Sequence, residues 1–157
     1  IDGTERVALA REKGTHGISY TISEGQRMEL YAGAAGKVLL AHAPREITKI
    51  VLSVKSLRKL TPNTISNTTE LSRQLEEIRS KGYSVSNGER VVDVWSVAAP
   101  VFDHRGVICS AIGITGPIYR IPKTVQSGYI NIVIGKAREL TRHIDGTEFH
   151  YKKEDES

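Results

Sequence analysis

A single cysteine, Cys109, leaves this chain unable to close an internal disulfide framework and fits a reducing cytosol. No apolar run approaches the roughly 18 residues that a membrane helix needs, and no signal peptide is visible. One Trp, two Phe and six Tyr are too few and too scattered for a base-stacking platform. The net charge of +4 is spread along the chain without a basic stripe, so the chain itself is a poor nucleic-acid binder. No phosphate loop or dinucleotide fingerprint occurs. His16, His42, His104, His143 and His150 fall in different elements without ligand-like spacing to one another or to Cys109, so only a coincidence of the fold could build a metal site.

What the sequence does have is one dominant stretch, Gly82 to Pro117, which reads as two apolar strands joined at Asp103-His104-Arg105-Gly106. Asp can bond the turn backbone and Gly can leave it, as a type I turn requires. A two-residue loop would set Phe102 opposite Val107, Ala98 opposite Ala111, Ser96 opposite Gly113 and Val94 opposite Thr115. Alternation then sorts the hairpin into two faces. Trp95, Val97, Ala99, Val101, Ile108, Ser110, Ile112 and Ile114 form a core face. Ser96, Ala98, Cys109, Ala111, Gly113 and Thr115 form a face of small, partly hydroxylated residues. Such a face is either crossed closely by another backbone or left open for a ligand. Pro100 cannot donate to a ladder and points to an edge or a bulge.

At 157 residues the chain is expected to be one domain with a real core. Glu5 to Arg11 alternates like a strand, and Ile18 to Ile22 is a candidate second. Leu30 to Ala41 enters a helix through Gly33 and Gly36, where free first-turn amides favour an anion. The same glycines also suit tight packing against the hairpin, and a lysine such as Lys37 after a Gly-rich turn is ordinarily solvated. Pro44 opens a second helix carrying Ile47, Ile50, Val51 and Val54. Asn67 with Glu70 reads as a capping box before a stripe of Leu71, Leu75 and Ile78 that stops at Gly82. The last helix runs from about Pro122 to Ile144, with Val125, Tyr129, Ile132, Val133, Ala137, Leu140 and Ile144 on one side. Its Gly128 and Gly135 each cost about 1 kcal/mol against Ala, which close packing would offset. This order is no βαβ alternation, and it predicts an α+β domain with helices on an antiparallel sheet.

Catalytic signals are thin. Cys109 sits mid-strand among apolar residues, where a thiol is ordinarily structural. Glu89 and Asp93 could form a carboxylate pair, but their loop suits solvent better. The pocket that remains has the Gly33–Lys37 turn, the loop after Gly82, Ser96, Gly113 and Thr115 as walls. Hydroxyls and amides without a strong base describe a binding site.

Three segments, AGAAGKVLLAH (Ala32 to His42), GYSVSNGERVVDVWSVAAPVFDHRG (Gly82 to Gly106) and AIGITGP (Ala111 to Pro117), resemble the effector-binding domain of IclR-type bacterial transcriptional regulators. The resemblance covers nearly the whole chain. It implies a GAF-like antiparallel sheet flanked by helices, with no cofactor and no enzymatic role; the alternatives are a stand-alone GAF-like ligand-binding module, or a small enzyme using the same pocket through Cys109 or the Glu89/Asp93 pair. It implies an effector-sensing domain over residues 1–151, a charged tail over 152–157, and a winged helix-turn-helix domain ahead of Ile1. The cytoplasmic partners would be a small organic acid and further copies of the chain, as a homodimer or homotetramer, with DNA met through the missing domain. Carried over by motif, the effector-binding residues are Ala34, Ala35, Ser86, Ser96, Gly113 and Thr115. Some relatives carry an acid in place of Ser86, a thiol in place of Ser96 and a serine in place of Gly113. Here the pocket is therefore less acidic and roomier.

Overall fold

The computed structural model describes residues 1–12, 14 and 22–144. The expected strand from Ile18 and the charged tail lie outside the described residues. Strands β1 (Glu5–Val7) and β2 (Arg27–Glu29) form a small antiparallel ribbon; helices α1 (Ala34–His42), α2 (Arg45–Leu52) and α3 (Thr68–Lys81) follow. Then come β3 (Ser84–Asn87), β4 (Val94–Phe102) and β5 (Ile108–Pro117), a 3-10 turn at Ile118–Arg120, and α4 (Lys123–His143). The second sheet is antiparallel in the order β3-β4-β5. This is the expected α+β arrangement.

Helices start and stop where the residues dictate. Pro44 and Pro122 stand just before α2 and α4, where a missing N–H costs nothing. Asn67 caps α3 by accepting from the Glu70 amide at 3.0 Å. The Glu70 carboxylate turns outward to Arg73 instead of closing the reciprocal bond of a capping box. Gly82 ends α3 at φ 76°, its amide bonded to the Ile78 carbonyl at 2.8 Å.

The sheet is covered on both faces. Trp95, Val97, Ala99, Val101, Ile112 and Ile114 meet α4 through Val133, Ala137 and their neighbours. On the opposite face Ala98, with Ala111 and Ile108, packs into the cluster built by Val38, Leu40, Leu71, Leu75 and Ile78. Helix α1 is the inner element there, with seven of its nine residues buried.

The hairpin register differs from expectation by two residues. Ser96 pairs with Thr115, Ala98 with Gly113 and Val94 with Pro117. The cause is two slips of one residue each. Gly106 enters the left-handed region at φ 71°, and Asp103 holds the turn through the Arg105 and Val107 amides, so the loop is longer than two residues. An irregularity at Val101/Phe102 then leaves Cys109 without an opposite residue, because Phe102 pairs with Ile108 and Val101 with Ser110. A single slip would have turned the strand over; two restore its parity. Only Ile108 changes face, joining the α1 side. Pro100 lies in the middle strand, but β3 begins at Ser84 opposite Ala98, so the ladder has one flank at Pro100.

Helix α4 also departs from the expected pattern. Its inner face is Tyr129, Ile130, Val133, Ile134, Ala137 and Thr141, and the Thr141 hydroxyl accepts from the Phe102 amide at 3.2 Å. Val125, Ile132, Leu140 and Ile144 are exposed. A Cβ placed on Gly128 or Gly135 would meet no atom within 4 Å, so intramolecular packing does not explain either glycine. Gly128→Ala and Gly135→Ala should each raise the unfolding free energy by about 0.5–1 kcal/mol, read as an upward shift of the urea midpoint.

Candidate functional site

The turn that opens α1 is held by the chain's own carboxylate. Gly33 adopts φ 80°, a conformation side chains rarely take, and its amide donates to Glu89 Oε2 at 3.0 Å. Four residues on, Lys37 is 2% exposed, and its Nζ donates to Glu89 Oε1 at 2.5 Å, to Gln74 Oε1 at 3.0 Å and to Val85 O at 3.4 Å. Neither residue behaves as its sequence setting suggests: Lys37 is not solvated, and Glu89 is buried while Asp93 remains exposed. Thr61 and Thr64 fix the Glu89 main chain by donating hydroxyl bonds to its carbonyl at 3.2 and 2.6 Å. Arg90 pairs with Glu29 at the end of β2, which also pairs with Arg58. The connection between β3 and β4 is thus tied to α1, to the ribbon and to the loop before α3.

Glu89 uses the Gly33 amide and leaves the next three. The amides of Ala34, Ala35 and Gly36 precede the first possible intrahelical bond, which Lys37 N makes to Gly33 O at 3.1 Å. They carry the partial positive charge of the helix start. Ala34 is buried and Ala35 partly so.

On the sheet face that meets α1, the ladder lines up two rows. Ser86 opposes Ser96, which opposes Thr115; one step along, Ser84 opposes Ala98, which opposes Gly113. The register shift creates the first row, because the expected pairing put Gly113 opposite Ser96. Among the described residues, none of the Ser86, Ser96 and Thr115 hydroxyls bonds another protein group. Ser86, Ser96, Gly113 and Thr115 thus share the sheet face on which α1 packs, with Gly113 and Thr115 exposed, while Ala34 and Ala35 lie in the first turn of that helix. Gly113 is not simply open space: a Cβ there would sit 2.5 Å from the Val97 carbonyl oxygen, so its smallness lets β5 approach β4. Gly36 likewise serves packing, since a Cβ would fall 2.7 Å from Leu30 O and 2.9 Å from Glu29 O. A separate cleft of about 310 Å³ opens between α3 and β3, with Lys37, Gln74 and Ser84 among its walls.

Cys109 is exposed, with its thiol 3.3 Å from Val101 O. Among the described residues no three His, Cys, Asp or Glu side chains gather as a metal site, and no helix is long and apolar enough to cross a membrane. His42, at the end of α1, meets the Phe102 ring edge-on at 5.1 Å. Burial, reinforced by the nearby Arg79 charge, lowers its pKa from 6.5 to about 4. The unfolded chain therefore binds the proton more readily than the fold. The stabilisation is full above pH 6.5 and lost as pH falls toward 4, at a cost of about 1–3 kcal/mol. Urea titrations at pH 7 and pH 4.5 should show this loss in the parent and a smaller one in His42→Leu.

The profile described as "Bacterial transcriptional regulator IclR C-terminal" matches residues 1–142, and the chain belongs to that family. The HTH-type transcriptional regulator BhcR of Paracoccus denitrificans is 36% identical over 141 residues, 90% of this chain and 50% of that protein. The regulator KdgR of Dickeya chrysanthemi is 35% identical over 74% of this chain and 38% of its own length. The chain thus spans about half the length, or less, of these curated relatives. Among solved structures, the Thermotoga maritima IclR superposes with a TM-score of 0.85 at 33% identity, over 92% of this chain and 59% of that one. The inducer-binding domain of PobR from Acinetobacter, solved with 3-hydroxybenzoic acid, gives 0.78 at 25% identity, over 90% and 83%. The fold is the GAF-like α+β domain of IclR regulators, and the relatives are transcriptional regulators rather than enzymes.

Proposed function

We propose that this domain senses a small organic acid and passes the signal, through a cytoplasmic homodimer or homotetramer, to a DNA-binding domain. The effector-binding unit covers residues 1–151, residues 152–157 are a charged tail, and a winged helix-turn-helix precedes Ile1. The observation that carries this reading is the Ser86–Ser96–Thr115 row of unpartnered hydroxyls facing the helix whose first turn has free amides. The acid's carboxylate meets the Ala34 and Ala35 amides, and its body lies over Ser96, Gly113 and Thr115. The likeness to an inducer-binding domain solved with an aromatic acid supports the same ligand class. Each charge-assisted bond contributes about 1.5–3 kcal/mol, so two or three support micromolar affinity after ordering costs. Calorimetric titration should find an acid bound far more tightly than its amide. Ser96→Val and Thr115→Val should each weaken it roughly tenfold, equivalent to about 1.4 kcal/mol. Equal affinity for acid and amide would overturn the anion reading.

A further inference from the structure

We propose that Glu89 is a specificity-determining residue of this site: by cancelling the Lys37 ammonium beneath the first turn of α1, it sets the site to accept one negative charge. The inference rests on the acid-binding reading above. Gly33 and Lys37 stand four residues apart, on one side of α1, and Glu89 bridges them with its two oxygens at 3.0 and 2.5 Å. The Ala34 and Ala35 amides lie between those two anchor points, so a ligand carboxylate held by them sits within one helical turn of both charges. Lys37 and Glu89 side chains are 2% and 9% exposed, so water and salt screen them little. The helix start alone offers roughly half a unit of positive charge. An uncancelled Lys37 would add a whole unit and draw in dianions; the buried carboxylate removes that attraction. Gln74 offers a second handle, since its Oε1 accepts from the same ammonium at 3.0 Å and its side chain is only partly buried.

A mere strut joining the β3–β4 connection to α1 would make every disruptive change weaken all ligands alike. A charge setting instead predicts effects of opposite sign from two near-isosteric changes. The domain and its variants would be titrated with pyruvate, benzoate, their amides and malonate, with circular dichroism to verify folding. Glu89→Gln should raise monoacid affinity at least threefold and malonate affinity at least tenfold, leaving the amides within twofold. Gln74→Glu should lower monoacid affinity at least threefold, again without moving the amides. If Glu89→Gln does not fold, Gln74→Glu decides the matter alone. Parallel changes for acids and amides, or changes of the same sign in both variants, would overturn the inference while leaving the site intact. A parent domain that bound none of these acids, or bound them equally well as Ser96→Val, would overturn the site reading and this inference with it.

Discussion

Lys37→Met should lower the unfolding free energy by about 3–5 kcal/mol, because it strands the Glu89 carboxylate in the interior with one fewer partner. The carboxylate would keep the Gly33 amide but lose the ammonium that neutralises it, and its side chain is 9% exposed. Lys37→Met/Glu89→Gln should recover most of that loss and lie within about 1–2 kcal/mol of the parent, since a buried ion pair replaced as a unit leaves no unpaired charge. The glutamine oxygen can still accept from Gly33, so the turn keeps its bond. Urea unfolding of the parent, the single and the double variant at pH 7 decides the point. A double variant as unstable as the single would mean that packing of the lysine stem, and not its charge, holds this region together.

Gly36→Ala should cost about 2–3 kcal/mol, although alanine favours helices and the position lies inside one. The added methyl would stand 2.7 Å from Leu30 O and 2.9 Å from Glu29 O, distances at which two backbone carbonyls must move. Leu30 is fully buried, and Glu29 is tied to Arg58 and Arg90, so neither segment yields easily. The contrast with Gly135→Ala, where the same substitution has open space and should stabilise, makes the pair a clean test of the cause. Thermal unfolding that moved both variants in the same direction would contradict it.

Local chemistry made much of this fold legible. Proline before a helix, asparagine at an N-cap and glycine at a C-terminus act within a few residues, so α2, α3 and α4 begin or end close to where their sequence places them. Alternation sorted the β4–β5 hairpin into its two faces for the same reason. The α4 pattern misled because Val125, Ile132, Leu140 and Ile144 are apolar without being buried; which face of a long helix turns inward depends on the sheet it lands on.

By itself the sequence determined the α+β class and where α2, α3 and α4 begin or end, since those follow from period, caps and residue identity. The six candidate site residues follow only from the motifs' resemblance to a family. The tertiary structure decided the rest. It aligned Ser86, Ser96 and Thr115 in one row, because a left-handed Gly106 and a bulge at Cys109 each add one residue, and no local signal counts them together. It also buried Lys37 against Glu89, 52 residues away. A lone lysine or glutamate reads as solvated because burying one charge costs several kcal/mol. Only the fold brings the two together and offsets that cost.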